Sequence, residues 1–405
     1  MEHADVLILG GGLVGSTLAV ALDTHGLTAI VVDPADPAVT LAAGFDGRAS
    51  AVASASHRML DAIGVGAKIA GQGCAIRQIR VSDGLAPGKL DFIPDADDDA
   101  LGTMYENRLL RTTLYEAARD AKGVDLRMKT CATHVTRDAA EVRATLSDGT
   151  TATASLLVAA EGRNSPTRQA AGITVANWRY NHAAIIGAFH HEQPHEDIAY
   201  EIFYSSGPFA LLPLPDDAIG HRSAIVWTVK ADDAPAMLKL SDRAFLAEAE
   251  KMMGGFLGTL SDASPRATYP LGFHHAARIT DTRLALVGDA GHGIHPIAGQ
   301  GLNLGFRDVA ALAEVLVEGR RLGLEQGDAQ LLDRYQKWRS LDTFLVATAT
   351  DTLTRLFGIP GKTASAVRRL GISAVDRIPP LKARFMAEAR GESGALPKLL
   401  QGMPV

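Results

Sequence analysis

Cysteine is scarce in this 405-residue chain. There are two, Cys74 and Cys131, far apart and without CxxC spacing. That excludes a disulfide framework, argues against a zinc site, and fits a reducing compartment. Aromatic residues make up only 5%, and the three tryptophans are scattered. No apolar run reaches the ~20 residues of a membrane-spanning helix, and no repeat or low-complexity tract is present. The net charge is −6, so no basic excess suits nucleic acid as a general partner. The opening "MEHADVLILGGG" passes from acidic residues straight into an apolar run. No signal peptide is expected, and a cytoplasmic location is.

What is present is a globular composition, 47% hydrophobic and 21% charged. The length predicts two domains, consecutive or interleaved. Charge is uneven. From Leu353 to Val405 there are nine Lys/Arg and three acids, a net +6 against −12 for the rest. A solvated helical tail is the simpler account. A surface meeting anionic lipid or an acidic partner is the sharper one.

Chemistry first shows in "DVLILGGGLVGSTLAVALDTHGLTAIVVD". Val6 to Leu9 suit a buried parallel strand, Leu18 to Leu22 continue as a helix, and Ala29 to Val32 suit a second strand ending at Asp33. Gly10, Gly12 and Gly15 form GxGxxG between the first strand and the helix. Gly10 permits the tight turn, Gly12 lets backbone approach a pyrophosphate, and Gly15 lets helix meet strand. Leu13, Val14 and Gly15 open the helix, whose free N–H groups attract phosphate. Asp33 is placed to accept hydrogen bonds from a ribose. The pattern specifies a dinucleotide cradle but does not separate NAD from FAD.

Further along, Arg48 precedes an expected small-residue helix, and Arg111 lies on an amphipathic helix ended by Gly123. Another buried strand ends at Glu161-Gly162, well placed for a second ligand edge. From about Trp178 to His274 the segments "YEIFYSS", "GPFALLPLP" and "SAIVWTV" read as an antiparallel sheet. Its Phe209, Leu211 and Trp227 are candidates to line an apolar substrate pocket, although core packing is the commoner use of such residues. The stretch "GDAGHGIHPIAGQGLNLGFRDV", from Gly288 to Val309, then ends a last parallel strand and runs, rich in glycine, into a helix. His292 and His295 share i,i+3 spacing. No further ligand cluster supports a metal there, and packing is the expected role of His292.

Together these pieces resemble the FAD-dependent aromatic hydroxylases, the single-component flavoprotein monooxygenases, and within them the ubiquinone-biosynthesis UbiH/UbiF-type branch. "ENRLLRTTL", "RNSPTRQAAGI", "YEIFYSSGPFALLPL" and "LDRYQKWRSLD" are similar to that branch as well. The likeness extends to roughly residue 345. It implies an α/β fold, with a Rossmann-like FAD-binding domain built on a mainly parallel sheet in three layers. That domain would be discontinuous, over 1–75, 101–177 and 275–345. An inserted, mainly antiparallel substrate domain would take 76–100 and 178–274, and a C-terminal helical region 346–405.

The resemblance also implies FAD as cofactor, with NADPH or NADH as a transient reductant. Gly10, Gly12 and Gly15 would hold the pyrophosphate and Asp33 the adenosine ribose. Arg48 and Arg111 would lie near phosphate and ribityl, with Glu161 and Gly162 at the mid-chain edge. Asp289 would contact the ribityl and phosphate part. Pro296, Gly299, Gly301, Leu302 and Asn303 would face the isoalloxazine ring, and His295 and Pro296 are the candidates nearest the chemistry. Where the family has Asp-Gly, this chain has Glu161-Gly162, one methylene longer. The implied reaction is hydroxylation by O₂ of a polyprenylated phenol or quinol precursor of ubiquinone, through a flavin C4a-hydroperoxide. No catalytic side chain is assigned and no metal is required. Two other readings remain at this point. One is a hydroxylase of a small soluble aromatic such as a hydroxybenzoate. The other is a flavin-free scaffold in a biosynthetic complex. A lipophilic substrate would give the basic tail a purpose, holding the enzyme peripherally at the inner face of a membrane or against a ubiquinone-biosynthesis complex.

Overall fold

A computed structural model of the chain describes residues 2–95, 97–293, 300–340, 375 and 377–405. His295, Pro296 and Gly299 lie outside the described residues, as does the tail from 341 to 374.

The strand His3–Leu9 is apolar on both faces, and Val6, Leu7 and Ile8 are fully buried. Such a strand belongs in the middle of a parallel sheet covered on both sides. It pairs in parallel with Ala29–Asp33 on one side and Thr151–Ala159 on the other. Val124–Met128 extends the sheet beyond the first, and Leu284–Leu286 beyond the second, both in parallel. Three antiparallel strands complete eight: Thr280–Asp281, Val142–Leu146 and Ala132–Arg137. Because the central strands run the same way, their carboxyl ends share one edge. Gly10, Asp33, Glu161 and Asp289 follow closely on those ends. Helix Leu13–Thr24 crosses over from the first strand to the second and packs on helices Asn107–Asp120 and Gln300–Arg321.

A nine-stranded sheet forms the second layer system. Its order is His292–Gly293, Ala267–Ala276, Val175–His191, His221–Lys230, Gly207–Leu214, Ile198–Tyr204, Gln78–Asp83 and Lys89–Phe92, with Leu260–Ser261 on the side of Val175–His191. All pairs are antiparallel except Ile198–Tyr204 with Gln78–Asp83. Alternation divides its side chains between two faces. One face packs Ile185, Phe209, Leu211, Ile225 and Trp227 onto Phe245, Leu246 and Ala249 of helix Asp242–Met253. The other presents Ile186, Glu201, Ala210, Leu212, Ala224 and Val226 to the nucleotide-binding half.

The stretch after Arg48 departs from the expected helix. Ala49–Ala53 is a strand, paired with Gly102–Glu106, and the helix begins only at Ser54. Gly102 permits this pairing, since a Cβ there would lie 2.7 Å from the carbonyl oxygen of Val52. Local propensity favoured helix, and the tertiary partner overrode it.

Of the C-terminal region, helix Pro379–Ala389 is described, followed by a segment folded back onto the nucleotide-binding half. Arg58 pairs with Glu392 at 2.7 Å. Arg307 donates to the carbonyls of Gly391 and Ser393. Arg390 pairs with Asp98, and Lys398 with Glu318 at 2.7 Å. Among the described residues no helix is long and apolar enough to cross a membrane.

Candidate functional site

The glycine loop after the first strand is shaped by two close approaches. Gly10 has φ +105°, and a Cβ on it would lie 2.4 Å from the carbonyl oxygen of Ala160. A Cβ on Gly15 would lie 1.9 Å from the carbonyl oxygen of Gly10. Gly12 differs. Its φ is −71° and nothing lies within 4 Å of where its Cβ would stand. The first helical bond runs from the Ser16 N–H to the Gly12 carbonyl, and no side chain caps this end. The N–H groups of the first turn therefore have no intrahelical acceptor and no side-chain cap, a ready anion site. Val14 instead packs sideways: Cβ atoms on Gly288 and Gly305 would stand 3.2 Å and 2.7 Å from its Cγ2. Leu13 lies against the main core.

Asp33 receives the Gly11 N–H at 2.6 Å on one oxygen and the Ala35 N–H at 2.7 Å on the other. This fixes the carboxylate beside the loop and leaves lone pairs for a ribose. Arg48 and Arg111 come together on one carboxylate, reaching Asp46 Oδ2 at 2.8 Å and 2.6 Å. Burial opposes the charge of Asp46, but its bonds to Arg111 and Arg48 outweigh that and hold its pKa below the ordinary range. Glu161 turns to its own chain, accepting Ser165 Oγ–H at 2.5 Å and the Thr167 N–H at 3.1 Å. The extra methylene thus serves to cap helix Pro166–Ala170, while Gly162 takes φ +77°.

Asp289 sits in a 3₁₀ turn just past the strand Leu284–Leu286, with Gly288 at φ +58°. His274 Nε2 lies 2.7 Å from the Asp289 carbonyl oxygen. Burial lowers the His274 pKa to about 4, so the ring is neutral and donates there. Asp308 holds the same turn from behind. It accepts the Gly288 N–H (2.8 Å) and Arg339 Nε–H (2.7 Å), and stands 2.6 Å from His292 Nε2. All three side chains are buried. Burial works against the Asp308 charge, but His292 and Arg339 outweigh it and keep its pKa low. The Asp289 carboxylate itself opens into a cavity ringed by protein, and that surrounding raises its pKa.

This cavity, about 310 Å³, lies between the parallel-sheet edge and the second sheet. From the nucleotide side come Arg48, Arg163, Asp289, Gly301 and Leu302; from the sheet come Ile186, Glu201, Ala210, Leu212, Val226 and Tyr269. A Cβ on Gly301 would meet nothing within 4 Å. Asn303, two residues on, turns away: its amide donates to the Ala51 carbonyl and its oxygen accepts the Ala53 N–H, both at 2.9 Å. That staples the helix start to the strand Ala49–Ala53, which follows Arg48. Phe209, Leu211 and Trp227 do not reach the cavity. They occupy the opposite face of the sheet, fixed by contact with helix Asp242–Met253.

Arg163, Glu201 and Tyr269 are cavity residues that the sequence did not single out. Arg163 has no carboxylate partner among the described residues. The protein around the cavity pushes the Tyr269 phenol up to about 12, and burial pushes the Glu201 carboxyl up to about 8. Alternation along "YEIFYSS" could have separated Glu201 from its neighbours, but nothing local tells which face meets a ligand. Elsewhere, Cys74, His195 and Asp197 bring their ligand atoms within 4.8 Å of one another. These are already satisfied internally, with Asp197 N–H donating to His195 Nδ1 and Cys74 Sγ 3.3 Å from Asp197 Oδ1.

The residues present fit an extended dinucleotide. A bare helix end, an open Gly12 and a fixed Asp33 stand at one end, and an open Asp289 and Gly301 at the other. Comparison with known proteins agrees. The model of the FAD binding domain family matches residues 3–347. Ubiquinone hydroxylase UbiL of Rhodospirillum rubrum is 44% identical, covering 99% of this chain and 94% of that protein. The 3-demethoxyubiquinol 3-hydroxylase of Escherichia coli is 32% identical, over 96% and 99%. Among solved structures, p-nitrophenol 4-monooxygenase PnpA from Pseudomonas putida shares the fold, with a TM-score of 0.79 at 19% identity over 97% and 99% of the two chains. FAD is the cofactor, and the chain belongs to the FAD-binding-domain family of flavoprotein monooxygenases, in its ubiquinone-biosynthesis UbiH/UbiF-type branch.

Proposed function

We propose that this protein uses NAD(P)H and O₂ to hydroxylate the ring of a polyprenylated phenol or quinol precursor of ubiquinone. One observation carries the reading: the cavity between the two sheets, largely apolar in its walls yet edged by Asp289, Gly301 and Arg163. Its volume lies at the small end of the range for ligand pockets, enough for an aromatic ring. The two curated relatives above are named as hydroxylases in ubiquinone chemistry, and the cavity suits the ring such a substrate would present.

Bound FAD, reduced by NAD(P)H, supplies the activation of O₂ for ring hydroxylation. The chain's own residues do the rest. The N–H groups at Leu13 to Gly15 and the carboxylate of Asp33 hold the AMP half. Asp289, fixed by His274 and by Asp308 from behind, presents its carboxylate to the middle of the cofactor. Gly301 leaves the helix start open on the cavity side. Ile186, Ala210, Leu212 and Val226 form an apolar wall that orients the ring and excludes water.

The test is deletion of the gene in its host, with mass spectrometry of the quinone intermediates. Accumulation of an under-hydroxylated prenylated precursor supports the proposal; an unaltered quinone pool refutes it. A colourless purified protein that takes up no FAD would favour the scaffold instead. Membrane contact is part of the same reading. Arg377 and Arg384 are exposed beside Ile378 and Phe385, while Arg390 and Lys398 turn inward to acids. Truncating the tail would remove those inward pairs, so charge reversal at Arg377 and Arg384 is the cleaner probe. It should weaken flotation with anionic liposomes while FAD stays bound, and unchanged flotation would remove the membrane contact from the reading.

A further inference from the structure

Glu201 is a carboxyl group without a partner among the described residues. It lies on the strand Ile198–Tyr204, flanked by Ala210 on one neighbouring strand and Val81 on the other. It is 9% exposed, and its opening is the cavity. Among the described residues nothing donates to its oxygens and no cation pairs with it. The charged and titratable groups around it are otherwise placed. Arg48 is committed to Asp46, and Arg222 on the same sheet face to Glu106 at 2.7 Å. Asp83 follows Val81 on the adjoining strand, and Arg163, Tyr269 and Asp289 line the cavity elsewhere.

A buried polar group with no partner costs stability, so one that persists in a ligand cavity marks where the ligand supplies the partner. The group that completes a carboxyl set among Ala210, Val226 and Ile186 is a hydrogen-bond donor on an otherwise apolar ring. Resting on the aromatic substrate proposed above, we propose that Glu201 accepts the hydrogen bond of the substrate's ring hydroxyl and takes its proton as the ring is hydroxylated. The hydroxyl O–H bond breaks, its electron pair stays on the ring oxygen, and the proton bonds to the Glu201 carboxylate. The ring becomes richer in electrons when an electrophilic oxygen must add to it. Burial places the Glu201 pKa at about 8, close to working pH, where a general base is most effective.

The test uses the FAD-loaded full chain and two probes of one shape, 2-methoxyphenol and 1,2-dimethoxybenzene, with binding read from the flavin absorbance. In the wild type the phenol should bind about tenfold more tightly than the dimethyl ether above pH 8. That preference should shrink as pH falls through 8, because the phenol's hydrogen bond favours the carboxylate. Glu201→Gln should make the preference independent of pH between 6 and 9. Glu201→Leu should abolish it at unchanged FAD content. A wild-type preference that does not vary with pH, or a Glu201→Gln profile that tracks the wild type, overturns the assignment even if Glu201→Leu fails to fold. Hydroxylation of a prenylated quinol by an enzyme showing either result would leave the proposed function standing without this role for Glu201. Loss of phenol preference in Glu201→Leu, in an enzyme inert towards quinols, would do the reverse.

Discussion

Two glycines three residues apart should fail in opposite ways when given a methyl group. At Gly15 a Cβ would stand 1.9 Å from the Gly10 carbonyl oxygen, and also 3.0 Å from the Gly10 carbonyl carbon. Real Cβ atoms do not approach closer than 3.0 Å, so helix Leu13–Thr24 and the loop must part by roughly 1.1 Å. The helix is wedged between two others and has no free direction of retreat. Overpacking of this kind costs about 1–3 kcal/mol, which lowers the melting temperature of the cofactor-free protein by several degrees. At Gly12 φ is already −71° and the Cβ position is empty. Alanine there strains nothing, and the stiffer unfolded chain contributes about 0.4–1 kcal/mol of stability. The methyl group does occupy the space in front of the bare helix end, where the pyrophosphate must lie. Gly12→Ala should therefore keep or slightly raise the cofactor-free melting temperature and weaken FAD binding by at least about tenfold, roughly 1.4 kcal/mol. Gly15→Ala should lose both. Scanning calorimetry without FAD and fluorescence titration with FAD separate the two. If Gly12→Ala destabilises the empty protein as much as Gly15→Ala, or binds FAD normally, the pyrophosphate does not lie against the open face of Gly12.

Neighbouring residues on one strand should also separate. Phe209→Ala empties core against Phe245 and should cost about 3–5 kcal/mol, whereas Ala210→Leu fills the cavity and should raise KM with little change in melting temperature. Asp308→Ala leaves Arg339 and His292 buried without their carboxylate and should cost about 3–5 kcal/mol by chemical denaturation. The depressed Asp308 pKa adds stability at neutral pH that is lost as pH falls below the ordinary carboxylate range. The sign at His274 follows from its lowered pKa. The unfolded chain takes up a proton below about 6.5 and the folded chain only near 4, so stability falls as pH is lowered between those values, by on the order of 3 kcal/mol. His274→Gln, which can still donate to the Asp289 carbonyl, should flatten the pH 4–6.5 part of the stability profile; an unchanged slope would place the titrating group elsewhere.

The sequence made the nucleotide cradle legible because its physics is local. Gly10, Gly12, Gly15 and Asp33 fall within 24 consecutive residues, and strand, turn, helix and strand each carry their own pattern. The cavity is the opposite case. Arg163, Glu201 and Tyr269 are spread over more than a hundred positions, and they meet only when the second sheet pairs and faces the loop that carries Arg163. Alternation shows that Phe209 and Ala210 point to different sides. It cannot say that the aromatic side meets a helix and the small side meets the ligand. Ala49–Ala53 was obscure for a similar reason, since its pairing partner lies some fifty residues away. Asn303 shows a third limit: its place in the glycine-rich block suggested a cofactor contact, while its side chain serves strand Ala49–Ala53.

That staple has a temporal side. The first sheet places Thr151–Ala159 beside the first strand made and Leu284–Leu286 beside Thr151–Ala159, and Asn303 closes onto Ala51 and Ala53 across some 250 positions. At typical elongation speeds of about 5–20 residues per second, residue 303 leaves the ribosome roughly 15–60 seconds after the first strand. Throughout that interval the apolar strand His3–Leu9 has only part of its sheet. The cradle residues Gly10 to Asp33 are made first, but Asp289 and Gly301 at the other end of the site come only when about three-quarters of the chain exists, so the complete cofactor site should form late in this protein's synthesis.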